Sequence, residues 1–179
     1  SGATVAASAS GATALTRGEN TSDDPQFAPG QRGNQFPRVR TVRIVKDGET
    51  LRMGPLSLTA HLTPGHTQGS TSWTWKSCEG SRCLDVVYAD SLTATVLPGF
   101  RYSSDPRRVE LFRKSIDTIA ALPCDIVVSV HPDFTNLAEK HARHDFVDVE
   151  GCRTYAAFGR RSLDAQLAQQ LDVGRRAAE

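Results

Sequence analysis

The sequence predicts an α+β domain, a mixed sheet with helices packed on it. Three observations carry this. Between residues 42 and 89, short β-branched, aromatic and alternating runs follow one another, separated by Asp-Gly, Gly-Pro and Pro-Gly turn signals. Two later stretches space apolar residues three and four apart, as helices with one buried face do. Between them, Asp125-Ile-Val-Val-Ser-Val130 is a continuous apolar run, the pattern of a strand covered on both faces. The 179 residues amount to one domain, and a hydrophobic share of 39% suffices for a core.

In chain order, Ala3 to Ala7 reads as a short strand and Ser8 to Arg17 as a short helix closed by Gly18. Residues 19–40 are rich in Gly, Pro, Asn, Asp and Gln, so an exposed loop is expected there. It is long enough for a rim or lid, and equally compatible with a plain surface excursion. Val42 to Lys46 and Glu49 to Met53 flank Asp47-Gly48, a strong hairpin signal, and Gly54-Pro55 makes the next turn. Leu56 to Leu62 alternates apolar and polar residues as a half-buried strand does, and Thr71 to Lys76 is β-branched and aromatic. Leu84 to Ala89 is another strand, ending at Asp90-Ser91-Leu92-Thr93. Ser104-Asp105-Pro106 opens a helix whose buried face is marked by Val109, Phe112, Ile116 and Ile119, and Leu122-Pro123 stops it. The last helix carries Leu163, Leu167 and Leu171 at i+4 spacing. It is expected to stop near Gly174, leaving a charged tail over residues 174–179.

The totals exclude some classes. Lys and Arg number 21 against 20 Asp and Glu, a net charge of +1 with no basic run, which offers nucleic acid no electrostatic footprint. No stretch approaches the roughly 18 apolar residues of a membrane span. The chain does not open on Met and shows no signal peptide, so a piece of a longer protein is one expectation. The four cysteines allow three connectivities. Their positions favour Cys78 with Cys83 and Cys124 with Cys152, implying an oxidising compartment, with four buried free thiols as the alternative.

Three polar loops fall at strand ends: one with His66, one with Asp90 and Ser91, one with His131. His66 sits in the turn Thr63-Pro-Gly-His-Thr67, and His131 directly follows the apolar run, so a rigid scaffold can aim both imidazoles at zinc. Two histidines are not a site, since zinc takes four ligands, or three and a water. His61 reads as structural or as a support behind a metal ligand, and His141 with His144 as a solvated helical face. Asp90 suits either a metal or a turn cap. Ser91 lies in no Gly-x-Ser-x-Gly elbow, and no Gly-rich phosphate cradle exists.

Thr63-Pro-Gly-His-Thr-Gln-Gly-Ser-Thr-Ser-Trp-Thr-Trp75, Tyr88-Ala-Asp-Ser-Leu-Thr93 and Ala121-Leu-Pro-Cys-Asp-Ile-Val-Val-Ser-Val-His-Pro132 together resemble the metallo-β-lactamases. The match is best to the third subclass, which keeps serine in place of a zinc-binding cysteine, and it runs from the first residues to about Leu171. The resemblance implies an αββα sandwich and zinc-dependent hydrolysis of β-lactam antibiotics by a periplasmic or secreted monomer. His66 then matches a ligand of the first zinc ion and His131 a ligand of the second, while Ser91 and Thr93 match substrate-side hydroxyls. Cys124 with Cys152 matches the subclass disulfide, and Cys78 with Cys83 a second bridge found in some members. Two zinc ions in such an enzyme lower the pKa of a bridging water and polarise the lactam carbonyl.

One departure matters more than these matches. The His-x-His-x-Asp-His motif, which supplies four of the family's six zinc ligands, is absent from this sequence. The chain thus looks like the C-terminal two-thirds of such an enzyme and is expected to be inactive alone. The alternatives are a thioester or lactone hydrolase of the same superfamily, with Asp90 bridging metals, and a non-catalytic remnant domain.

Overall fold

The structure, a computed structural model, describes residues 3–176. Its elements are β1 (Val5–Ala7), α1 (Ala9–Arg17), β2 (Val42–Ile44), β3 (Thr50–Met53), β4 (Leu56–Leu62), β5 (Thr71–Glu79) and β6 (Arg82–Ala89). They continue with α2 (Pro106–Ala121), β7 (Ile126–Ser129), α3 (Leu137–Ala142) and α4 (Gly151–Arg176). β3-β4-β5-β6-β7 form one sheet in that order, antiparallel throughout except for the parallel pair β6 and β7. β1 and β2 pair parallel in a second, smaller sheet. The α+β architecture is the expected one.

Local chemistry sets the helix ends. The Ser8 hydroxyl accepts the Gly11 amide at 3.1 Å, capping α1, and Gly18 closes it at φ +75°. Asp105 accepts the Arg108 amide at 3.0 Å with Pro106 in the first turn of α2. Phe112, Ile116 and Ile119 of α2 are fully buried against Val87, Val127 and the α4 residues Tyr155 and Leu163. Burying side chains of this size contributes about 1.5–3 kcal/mol each, so this layer holds the fold. Both disulfides form as expected: Cys78 to Cys83 across the β5–β6 pair, and Cys124 to Cys152 from the entrance of β7 to the start of α4.

The other face of the large sheet fronts the small sheet across a gap. Trp73, Trp75 and Tyr88, with Leu51 and Leu58, line an apolar hollow of about 370 Å³ whose far side is Thr4 and Ala6. Layers thus run α1, small sheet, large sheet, then α2 with α4.

Four expectations need correction. Asp47-Gly48 does not join a hairpin, because β2 pairs with β1 while β3 pairs with β4 across Gly54-Pro55. The turn instead crosses between sheets and serves the rim of β4: Gly48 N–H donates to Ala60 O at 2.8 Å, and Asp47 accepts the Leu62 amide at 2.8 Å. His141 and His144 do not share a helical face, since α3 ends at Ala142 and His144 turns left-handed at φ +51°. The last helix does not stop at Gly174 but runs to Arg176, since one glycine costs only about 1 kcal/mol in a long helix. Residues 177–179 of the expected tail lie outside the described residues. β7 has one covered face rather than two: Val127 and Ser129 are buried while Ile126 and Val128 are half-buried. The 19–40 loop is largely exposed as expected, though Pro25 and Asn34 are buried and pin it.

Candidate metal site at the sheet edge

The strand register decides which loops meet. Leu62 pairs with Thr71 and Trp73 with Tyr88, so the loop between β4 and β5 emerges where β6 ends. β6 and β7 run parallel with Ala89 beside Ser129, which brings Asp90 and His131 to that same edge. His66, Asp90, Ser91, Thr93 and His131 therefore leave the sheet from one side.

His66 is half-buried, and its Nδ1 lies 2.9 Å from the Thr93 carbonyl oxygen. Because a carbonyl only accepts, Nδ1 carries the hydrogen and Nε2 the lone pair. This is the arrangement in which a second partner orients a metal-binding imidazole. His131 is exposed, its ring 5.0 Å from Phe134 edge-on, and its carbonyl accepts from Ser129 Oγ at 2.7 Å.

Asp90 does not face the edge as a free carboxylate. Its Oδ2 accepts the Thr71 amide at 3.0 Å and its Oδ1 the Ser91 amide at 2.7 Å. Its role here is the cap. Ser91 and Thr93 are buried, their hydroxyls 3.0 Å apart. Tyr155 of α4 straps this segment: its hydroxyl donates to Asp90 O and accepts from Leu92 N–H, both at 3.1 Å. Burial, the largest cause, raises the Tyr155 pKa and keeps the phenol neutral.

His61 stands apart from this edge site. Its Nε2 is 2.9 Å from Thr74 Oγ1, in a cavity of about 200 Å³ shared with Asp47 and Lys114. Burial lowers its pKa, with Asp47 opposing. Sequence reasoning missed Tyr155, and it missed Tyr102, Arg108 and Ser115, which lie beneath the His66 turn. Only Arg108 carried a signal, as a charge in line with the apolar stripe of α2.

The donors fit zinc in kind but not in number. Among the described residues no three His, Cys, Asp or Glu side chains gather to hold a metal ion.

An αββα sandwich with a Pro-Gly-His-Thr turn at its sheet edge is the metallo-β-lactamase fold. No family model matches the chain. Solved structures do. The Rm3 metallo-β-lactamase is 44% identical at a TM-score of 0.88, covering 95% of this chain and 65% of that one. MEM-A1, a subclass B3 metallo-β-lactamase from a soil metagenome library, is 41% identical at 0.90, covering 96% and 67%. SMB-1, solved with 2-mercaptoethanesulfonate, is 40% identical at 0.88, covering 95% and 67%. The chain belongs to the metallo-β-lactamase family, subclass B3. It spans about two thirds of the length of these relatives.

Proposed function

We propose that this chain supplies part of the active site of a zinc-dependent β-lactam hydrolase, one that confers antibiotic resistance. His66 contributes one ligand to one zinc ion and His131 one ligand to a second. The remaining ligands come from a His-x-His-x-Asp-His segment outside these 179 residues, so the chain alone is inactive. Ser91 and Thr93 are the substrate-side hydroxyls. Two disulfides fit a periplasmic or secreted setting, and the working unit is a monomer. Among the described residues no helix is long and apolar enough to cross a membrane.

The observation that carries this reading is the His66 imidazole, its Nδ1 held by Thr93 and its Nε2 left open at the edge shared with His131. Each carboxylate oxygen of Asp90 accepts one backbone amide, from Thr71 and from Ser91, which fits a capping role. The test joins the chain to the motif-bearing segment of a B3 enzyme. Zinc-dependent nitrocefin hydrolysis, lost on His66→Ala, supports the proposal. Turnover of a lactone or thioester in place of nitrocefin would move the protein to another branch.

A further inference from the structure

α2 buries an arginine where its pattern calls for an apolar residue. Arg108 lies one turn before Phe112 on the core-facing side of the helix and is only 5% exposed. Burying a guanidinium is costly unless its hydrogen bonds are met, and a leucine or methionine would pack there at no such cost. Its guanidinium lies 4.9 Å from the ring centre of Phe100 and 5.7 Å from that of Tyr102. Nη1 donates to Asp23 O at 2.7 Å and Nη2 to His66 O at 3.4 Å, while Nε has no partner. The group is placed for two carbonyls, not for its own full satisfaction.

Those bonds belong to a larger grip. Ser115 Oγ donates to Pro64 O at 2.7 Å, and the Tyr102 hydroxyl donates to Gly65 O at 3.3 Å. Three successive carbonyls, of Pro64, Gly65 and His66, are thus held by buried side chains. A peptide unit is planar, so holding the carbonyls of Gly65 and His66 fixes the two planes that flank the His66 Cα. With both planes fixed, the direction of the Cα–Cβ bond follows. The Nδ1 contact to Thr93 O then sets the ring about its own torsions.

We propose that Arg108 is a positioning residue for His66, acting with Tyr102 through the turn carbonyls, and that its fork ties the Asp23 loop to that turn. Arginine suits this because its rigid planar fork presents two separate nitrogens, Nη1 and Nη2, to the two carbonyls, a geometry that the single nitrogen of an ammonium does not reproduce. The proposal rests on reading His66 as the metal-facing side chain, but the orientation itself is measurable without metal.

The experiment uses the 15N-labelled full chain without metal or substrate and records the His66 imidazole nitrogens by long-range 1H–15N correlation near neutral pH. The parent protein should show the Nδ1–H tautomer. Arg108→Met should shift the ratio toward Nε2–H by about fivefold, the worth of one hydrogen bond. His61, whose ring meets Thr74 Oγ1 in the cavity between β4 and α2 and touches none of the three held carbonyls, should keep its signals and serve as the internal control. Arg108→Lys, which keeps the charge and loses the fork, should resemble the methionine variant. An unchanged His66 ratio in folded Arg108→Met, or full restoration by lysine, would overturn the proposal. Should Arg108→Met lose its near-ultraviolet dichroism, Tyr102→Phe decides: it removes only the bond to Gly65 and should move the ratio the same way by less. An unmoved ratio in that variant overturns the proposal as well. None of these outcomes bears on zinc binding or turnover, so the two readings fail separately.

Discussion

The Nδ1 of His66 and the carbonyl oxygen of Thr93 stand 2.9 Å apart, joining residues 27 positions distant in sequence. That bond links the turn after β4 to the segment after β6. It also fixes which imidazole nitrogen is open. The site depends on this turn keeping its shape, and the turn is tightly built. A Cβ at Gly65 would lie 2.2 Å from Cδ2 of Phe112. Gly65→Ala should therefore destabilise by at least about 1–3 kcal/mol, as overpacking a core does, read as a lower denaturant midpoint at unchanged slope.

Tyr155→Phe should cost about 1–3 kcal/mol, because it leaves the buried Leu92 N–H without its acceptor. Chemical denaturation of the two proteins measures it. Equal midpoints would mean that water replaces the phenol.

Cutting the two disulfides should cost unequal amounts. The 28-residue separation of Cys124 and Cys152 is worth about 3.6 kcal/mol in the chain-entropy model. The five-residue separation of Cys78 and Cys83 is worth about 2 kcal/mol on the same basis. Paired Cys→Ser variants, melted in denaturant, should rank in that order.

His61 sets a pH dependence of known sign. Burial holds its folded-state pKa below the ordinary 6.5, so the unfolded chain takes up the proton first as pH falls. The stability of the neutral form is complete above about pH 6.5 and declines as pH drops from there toward the lowered value. His61→Gln should flatten the melting temperature between about pH 7.5 and about pH 5.5. An unchanged slope would assign the dependence to other groups.

Much of this fold was legible because its signals are local. The Ser8 and Asp105 caps, the Gly18 stop and the stripe of Phe112, Ile116 and Ile119 lie within a few residues of what they govern. β4 spans Leu56–Leu62, as its alternation implied. Asp47-Gly48 misled because a turn signal fixes a turn and not the partner of the strand before it, and β1 won β2. The four cysteines were legible in position, with the family likeness weighing toward the pairing observed. At the edge, His66 and His131 stood out by residue type. The groups that hold the His66 turn and the Asp90–Leu92 segment did not, because Tyr102, Arg108 and Tyr155 bond there to backbone groups 37 to 65 positions away. No sequence pattern encodes such contacts. Ser91 and Thr93 were visible as hydroxyls, but that they face each other is a matter of packing.

On the proposal above, His66 and His131 each supply one ligand to a separate zinc ion, and among the described residues no three His, Cys, Asp or Glu side chains gather to hold a metal. The direct measurement is nitrocefin hydrolysis by the purified chain with added zinc, beside the same chain joined to a His-x-His-x-Asp-His segment. Zinc-dependent turnover is expected of the joined protein, and none above background of the chain alone. Zinc-dependent turnover by the 179 residues themselves, abolished by His66→Ala, would contradict the proposal.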